Sequence, residues 1–336
     1  MNDTLEPVRW GVLGAARIAE GAILPGMAHS PYCAPLAIAA RDAGRAKAMA
    51  QKFEAPKFYA AYDALLKDPE IEAVYVALPN HLHVEWARRA ADAGKHVLIE
   101  KPAALTAKEL AALDGVDPGL KIAEAFMVRH QPRWQALKEL LRSGQYGAPR
   151  TVSSLLSFKM TNVKDFRTRP EWGGGALYDL GCYTAMATRF VFDREPLRVL
   201  SECARDKRGI DMFSSAILDF GEGCHAIMAV SLAQASAQTL QVVCERAYID
   251  LPKAYVPSRT EPNLIHVDTS SDHAQSDLKT RAFEPLDQYE AEVSNFSRAV
   301  RGQNVPFYGL SDARANAAVM DAIFASAANG GWAKVP

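Results

Sequence analysis

The sequence lacks any run approaching the roughly 18 to 20 consecutive apolar residues that a membrane-spanning helix requires, and no membrane partner is expected. It also lacks net charge: 38 Lys and Arg face 39 Asp and Glu, which leaves no field to draw nucleic acid or anionic lipid. Cysteine is scarce and scattered. The five, Cys33, Cys182, Cys203, Cys224 and Cys244, form no CxxC pair and have no neighbouring His at metal-ligand spacing, so reduced, buried thiols and no bound metal are expected. The opening, MNDTLEPVRW, has no basic-then-apolar secretory pattern, from which a mature chain beginning near residue 1 and a cytoplasmic location are expected. Internal repeats and low-complexity tracts are also missing.

What remains is ordinary globular composition, 49% apolar and 23% charged, in a chain of 336 residues. Single hydrophobic cores rarely grow past roughly 250 residues, so two domains are expected. From Val8 to about Glu124, short apolar runs alternate with helical periodicity over Ala43 to Phe53 and His81 to Ala93, which Gly94 ends as a C-cap. The runs are Val8 to Leu13, Leu36 to Ala40, Ala73 to Val76, His96 to Ile99 and Lys121 to Ala123. This is the pattern of consecutive βαβ units, an α/β fold with a doubly wound parallel sheet of Rossmann type in residues 1–125. Beyond it, a helix over Pro132 to Ser143 gives way to strand-like runs between Thr151 and Leu251, joined by tight turns such as Gly221-Glu222-Gly223. Residues 126–336 therefore read as an α+β domain with a mostly antiparallel sheet, open on one face, closed by helices over Tyr289 to Arg301 and Ser311 to Ala327. Pro257 to Lys279, rich in Ser, Thr, Asp and Pro, reads as a surface excursion.

The first strand runs into Gly14-Ala15-Ala16-Arg17-Ile18-Ala19, where the Rossmann fingerprint has G-x-G-x-x-G/A; Ala16 replaces the second glycine and Ala19 the third. Such a turn sets backbone N–H groups and a helix N-terminus against a dinucleotide pyrophosphate. A Gly-Ala turn between any strand and helix has the same letters, so the motif alone does not decide. The second strand ends in Ala40-Arg41, whereas NAD-specific folds usually place Asp or Glu there to hold the ribose hydroxyls. Arg41, with Arg45 in support, suits a ribose phosphate and stacking on adenine, which favours NADP. Asp42, one place late, keeps NAD open, and both arginines also read as solvated residues at a helix start.

The segment from residue 78 to 102 is more specific. It reads Leu78-Pro79-Asn80-His81-Leu82-His83, then a helix, then Ala93-Gly94-Lys95-His96-Val97-Leu98-Ile99-Glu100-Lys101-Pro102. In order and spacing, the PN-x-x-H turn, the AGKHV strand entry and the EKP end closely resemble the glucose-fructose oxidoreductase, inositol dehydrogenase and rhizopine-catabolism family, written Gfo/Idh/MocA. Gly173-Gly174-Gly175-Ala176-Leu177-Tyr178-Asp179-Leu180-Gly181-Cys182-Tyr183 resembles a second signature of that family, and the likeness extends over nearly the whole chain. Many relatives carry His where this chain has Tyr183; the subgroup of glucose-fructose oxidoreductase and dimeric dihydrodiol dehydrogenase carries Tyr. Ala39-Ala40-Arg41-Asp42 and Lys67-Asp68-Pro69-Glu70 also resemble dihydrodiol dehydrogenase, whose cofactor is NADP.

The resemblance implies NADP-dependent hydride transfer at a carbinol or carbonyl carbon of a sugar (aldose or pyranose) or related cyclic polyol, with a trans-dihydrodiol as the alternative substrate. That chemistry needs a base near the hydroxyl and a hydride acceptor held close by. Tyr183 is read as the acid/base. Lys101 is read as the cation that lowers the phenol's pKa and hydrogen-bonds the substrate oxygen. Asp179, one helical turn before Tyr183, is read as orienting either Lys101 or the sugar. Cofactor contacts are assigned to Gly14, Ala15, Ala16, Arg17, Ile18, Arg41 and Arg45, and around the nicotinamide to Leu78, Pro79, Asn80, His83, Glu100 and Lys101. Arg129, Asn162, Arg167 and Arg169 are read as substrate contacts beside Lys101, Asp179 and Tyr183, against the plainer reading of solvated loop charges. Pro102 is expected to be cis, as its family counterpart is. His81 and His83 lack a third ligand for zinc, and His130 reads as a polar packing residue.

A different class of function stays open, a cofactor-sensing regulator without turnover, because the same fold also serves co-repressors. Lys101 and Tyr183 together point to turnover. Glucose-fructose oxidoreductase retains its nucleotide with the help of an N-terminal arm, and only about seven residues precede the first strand here, so an exchangeable cofactor is expected. An open sheet leaves an apolar face, from which a homodimer or homotetramer built across it is expected.

Overall fold

In the computed structural model, residues 5–162, 165–272 and 274–336 are described; the first residues of the chain opening and His273 of the Pro257 to Lys279 stretch lie outside them. Two compact units divide the chain, one running through His130 and taking back Asp287–Arg314, the other holding Gln131–Leu286 and Ala315–Pro336. This corrects the expected single cut between residues 125 and 126 with a continuous second domain. The helix Gln288–Val300 belongs to the first unit because its apolar stripe completes that unit's core. Phe296 packs on Trp10 with ring centroids 5.2 Å apart, and Trp10 Nε1 donates to Ser297 Oγ at 3.0 Å. Periodicity reveals such a helix but not which sheet it covers.

The first unit is built on six parallel strands: β1 (Val8–Leu13), β2 (Cys33–Ala39), β3 (Lys57–Tyr59), β4 (Ala73–Val76), β5 (His96–Ile99) and β6 (Ile122–Glu124). Their order, β3-β2-β1-β4-β5-β6, reverses between β1 and β4, and in doubly wound sheets ligands bind beyond the carboxyl ends of strands at that switch point. Helices α1 (Leu24–His29), α2 (Ala43–Lys52), α3 (Tyr62–Leu66) and α4 (His83–Asp92) lie between the strands in sequence. The central strands are apolar on both faces, as a doubly covered sheet demands: Val74, Tyr75 and Val76 are all fully buried. Neither β3 nor α3 was expected, because a three-residue edge strand and a five-residue helix are too short to show a period.

The second unit carries α5 (Pro132–Arg142), α6 (Cys182–Phe192) and a nine-stranded sheet. Its strands are β7 (Pro149–Lys159), β8 (Arg198–Arg205), β9 (Asp211–Asp219), β10 (His225–Ser231), β11 (Ala233–Cys244), β12 (Tyr248–Pro252), β13 (Asn263–Asp268), β14 (Leu278–Phe283) and β15 (Ala333–Lys334). The pairs are antiparallel except β10 with β7, which run parallel. One face is covered by α6, every residue of which is buried. On the other, Ile217, Ile227 and Val243 remain exposed while their strand neighbours Leu218, Met228 and Val242 are buried, the alternation of a sheet with one open face. The stretch read as a surface excursion contains β13 and the start of β14. Its polar composition reflects an edge hairpin whose outer strand is almost wholly exposed. Among the described residues no helix is long and apolar enough to cross a membrane.

Candidate active site

At the switch point, β1 ends in a turn that only glycine can make. Gly14 has φ +105°, and a Cβ there would overlap the Ala77 carbonyl oxygen at the end of β4. A helical run follows from Arg17, continuing through the π-turn Ala19–Ile23, so its N-terminus adjoins the glycine turn, the kind of place where backbone N–H groups can meet an anion. Asp42, the acid that kept NAD open, is engaged elsewhere: its carboxylate caps α2 by accepting from the Arg45 N–H at 3.1 Å. Arg41 is exposed at the end of β2, and the Arg45 guanidinium crosses to the glycine turn, donating to the Ala15 carbonyl at 2.5 Å. The glycine turn with Arg45 bonded to it, and Arg41 exposed two residues past β2, bring together backbone N–H groups and positive charge. These residues fit a phosphorylated dinucleotide.

The turn that carries Lys101 follows β5, and the Lys101–Pro102 peptide is cis. Its backbone is held by three side chains: the Lys101 N–H donates to Glu100 Oε2 at 3.0 Å, the Ala103 N–H donates to Glu124 Oε1 at 2.9 Å, and His83 Nδ1 lies 2.7 Å from the Pro102 carbonyl oxygen. Glu100 in turn accepts from the Tyr75 hydroxyl, whose pKa burial and the Glu100 charge push well above the ordinary range, so it stays a donor. A further carboxyl, Glu292, is fully enclosed nearby. Burial, reinforced by the charge of Glu100 and opposed by Arg129, pushes it far above the usual carboxylate range.

Two sequence readings change here. His83, expected at the nicotinamide, is turned inward at 1% exposure with its second nitrogen 2.7 Å from the Leu78 carbonyl; it holds backbone rather than cofactor. Burial pushes its imidazole down to about 4, against the pull of the two carbonyls. Arg129, expected at the substrate, is 2% exposed, paired with Asp312 and stacked 3.9 Å from the Tyr308 ring centroid. An arginine after a strand reads as a solvated or substrate-facing charge; only the fold reveals its partner. Lys95 of the AGKHV motif is structural, donating to the carbonyls of Asp68 and Ile71 at 2.8 and 2.7 Å. His130 is half-buried against Asn295 and Tyr308, and desolvation with the Arg129 charge pushes it down to about 3. Among the described residues no group of three His, Cys, Asp or Glu side chains is arranged for a metal ion.

Tyr183 and Asp179 stand in the second unit. They ride a helical run that opens with the π-turn Leu177–Gly181 and continues as α6, so the turn between them is wider than the α-helical spacing expected. The start of this run is fixed by Asp211 at the head of β9, which accepts from the Leu177 N–H at 2.7 Å and leaves no room for a Cβ on Gly175, at φ +117°. Asp179 is 4% exposed and accepts from Arg167 Nε at 2.6 Å, while Arg167 Nη1 donates to Asp165 at 3.0 Å. Burial opposes the guanidinium charge, but the two carboxylates hold it fully protonated. The Tyr183 ring lies edge-on to Tyr255, centroids 6.2 Å apart; Tyr255 is itself anchored through its hydroxyl to Ser154 and packed on Trp134. Arg169 is exposed and stacked on Trp172, and Asn162 is exposed.

Residues that sequence reasoning missed, Tyr75, Glu124, Asp165, Asp211 and Tyr255, are supports rather than contacts. Asp165 lies in a polar loop and the others inside or beside apolar runs, and none gives a local signal of the partner it meets.

Residues 8–115 match the family described as an oxidoreductase family with an NAD-binding Rossmann fold, Gfo/Idh/MocA, and residues 134–250 match the C-terminal domain of the same family. An uncharacterized oxidoreductase of Rhizobium meliloti is 39% identical over 98% of this chain and 100% of its own length. The NADP(+) D-xylose 1-dehydrogenase 2 of Haloferax volcanii is 34% identical over 96% of this chain and 98% of its own. Among solved structures, the 3-ketoreductase KijD10 from Actinomadura kijaniata, in complex with NADP and TDP-benzene, superposes with a TM-score of 0.86 at 27% identity, covering 96% of this chain and 98% of that one.

Proposed function

The chain belongs to the Gfo/Idh/MocA oxidoreductase family, and from that membership we propose that it exchanges a hydride between NADP and a carbinol or carbonyl carbon of a small sugar or cyclic polyol. It is an oxidoreductase acting on CH–OH or keto groups with NADP as cofactor, in keeping with the relatives above. Bound NADP supplies or accepts the hydride. The Gly14 to Ile18 turn would hold its pyrophosphate, and Arg41 with Arg45 its ribose phosphate. The observation that carries the cofactor part is the diversion of Asp42 into the α2 cap, which leaves Arg41 at the end of β2 without a competing acid.

Tyr183 is the proposed acid/base, taking the hydroxyl proton on oxidation and returning it on reduction. Lys101 is the proposed cation that hydrogen-bonds the substrate oxygen, a role supported by the bracing of its turn at three points. Asp179, charge-balanced by Arg167, is proposed to accept from a substrate hydroxyl. Of the arginines nominated for substrate, Arg129 is paired with Asp312 and Arg167 with Asp165 and Asp179. A neutral aldose, which asks for paired donors and acceptors, suits such groups better than the diphosphate of a nucleotide sugar.

The test is titration with NADPH and NADH followed by a screen of aldoses, nucleotide sugars and trans-dihydrodiols for NADP reduction. Turnover of a free aldose supports the reading. Turnover of a nucleotide sugar or dihydrodiol alone overturns the substrate class, and nucleotide binding without turnover on any of them favours a sensor. We also propose that a second copy of the chain covers the open face bearing Ile217, Ile227 and Val243; light scattering showing a monomer would overturn that.

A further inference from the structure

We propose that His83 is a positioning residue for Lys101, tying the turn after β4 to the turn after β5 so that the two keep one geometry. The inference rests on the reading of Lys101 as catalytic. Its observations are the two ring nitrogens, each 2.7 Å from a backbone carbonyl oxygen, that of Leu78 on one side and that of Pro102 on the other. Leu78 begins the Leu78-Pro79-Asn80 turn, and Pro102 immediately follows Lys101. The ring is 1% exposed, so it touches no diffusing ligand and its whole bonding capacity goes to the chain.

The consequence is mechanical. The two turns leave adjacent parallel strands, β4 and β5, whose last registered pair is Val76 with Ile99. The last backbone bond between them is the Glu100 N–H donating to the Val76 carbonyl at 3.2 Å, and past it His83 lies between the two turns. Glu100 and Glu124 hold the Lys101 turn to its own strand and to β6, whereas His83 holds it to the Leu78 turn, on the side of the switch point. The two short motifs that identify the family, one ending in this histidine and the other in the Lys-Pro turn, are thus joined by a bond.

Both carbonyl oxygens only accept, and burial pushes the imidazole down to about 4, so near neutral pH the ring carries one proton, donates to one oxygen and packs against the other, donating to both only as the imidazolium. The titratable groups facing the ring are Lys101 and His81. His83→Ala removes both ties, and His83→Gln keeps an amide donor for one oxygen only.

The test uses the whole chain. Hydrogen exchange is followed at the Lys101 and Ala103 amides and across the Leu78 turn, together with NADPH affinity, melting temperature and single-turnover hydride transfer with the aldose the parent oxidises fastest. Each variant is made alone and with Lys101→Met. In His83→Ala, exchange should rise at both turns together, and hydride transfer should fall about thirty-fold with NADPH affinity unchanged within about threefold. His83→Gln should recover part of the rate, and His83→Ala should add no loss in the Lys101→Met background. Exchange rising at one turn alone, or losses that add in the double variant, would overturn the role of His83. Full turnover by Lys101→Met alone would instead overturn the reading of Lys101, leaving the exchange result to judge the tie. Should the alanine variant not fold, the glutamine variant decides by the same readouts.

Discussion

In the first unit, Lys101 sits on a turn whose backbone is bonded by Glu100, His83 and Glu124, each a side chain reaching to a main-chain group. In the second, Tyr183 rides a helix whose start is set by Asp211 and by a glycine that admits no side chain, with Asp179 paired to an Arg167 that also binds Asp165. The first brace consists of separate hydrogen bonds, and removing one leaves the others. The second is a close steric and ionic fit whose members fail together. Substitutions around Lys101 should therefore alter rate more than stability, and substitutions around the Gly175 to Asp179 segment should alter stability as much as rate.

The largest effect tests the chemistry itself. Tyr183→Phe keeps the ring against Tyr255 and removes only the hydroxyl, so turnover should fall at least about a hundredfold with the melting temperature unmoved. Steady-state kinetics beside thermal melting checks this, and a fully active variant would move the acid/base role to another group. Gly175→Ala comes next and should show the opposite profile. The new methyl meets Asp211 at a backbone angle side chains rarely adopt, costing about 2 kcal/mol. For a unit of this size the melting temperature should drop by about 4 to 8 °C. An unchanged melting temperature would mean that Asp211 gives way and that the second brace is as divisible as the first.

How much of this was legible in sequence follows from the same contrast. The strands at Val8–Leu13, Ala73–Val76 and His96–Ile99 fall where their apolar runs predicted, because a doubly covered parallel sheet needs continuous hydrophobes. The Lys101 turn announces itself through contiguous motifs. Its supports do not: Tyr75 and Glu124 lie in strands whose letters read as core, and His83 reads as a ligand until its burial is seen. On the second side, Asp211 lies 34 residues from the Leu177 amide it accepts from, a separation no local pattern spans. Arg129 was misplaced for the same reason, since its partner Asp312 is 183 residues away.

A smaller effect separates the cofactor turn from both braces. Arg41 is exposed, so Arg41→Ala should leave folding intact and weaken NADPH relative to NADH by about tenfold, the value of one charge-assisted contact. Parallel fluorescence titrations give the ratio. Equal weakening of both nucleotides would mean that Arg41 reads the adenine rather than the phosphate, and would pass the phosphate to Arg45.

The smallest effect asks whether the second brace depends on charge or on shape. Burial pushes the Asp211 carboxyl above 3.8, with the Leu177 N–H pulling it back. A folded-state pKa above the unfolded one means the folded chain holds the proton more tightly. The contribution of Asp211 is then fully present below 3.8 and is lost as pH rises through the folded value. Asparagine cannot ionise, yet its amide oxygen still accepts from Leu177. Asp211→Asn should therefore come close to its parent around pH 4 and overtake it slightly toward pH 7, as read from denaturant midpoints across that range. If the parent gains on the variant instead, the carboxylate's charge, and not the fit around Gly175, is what holds the helix of Tyr183 in place.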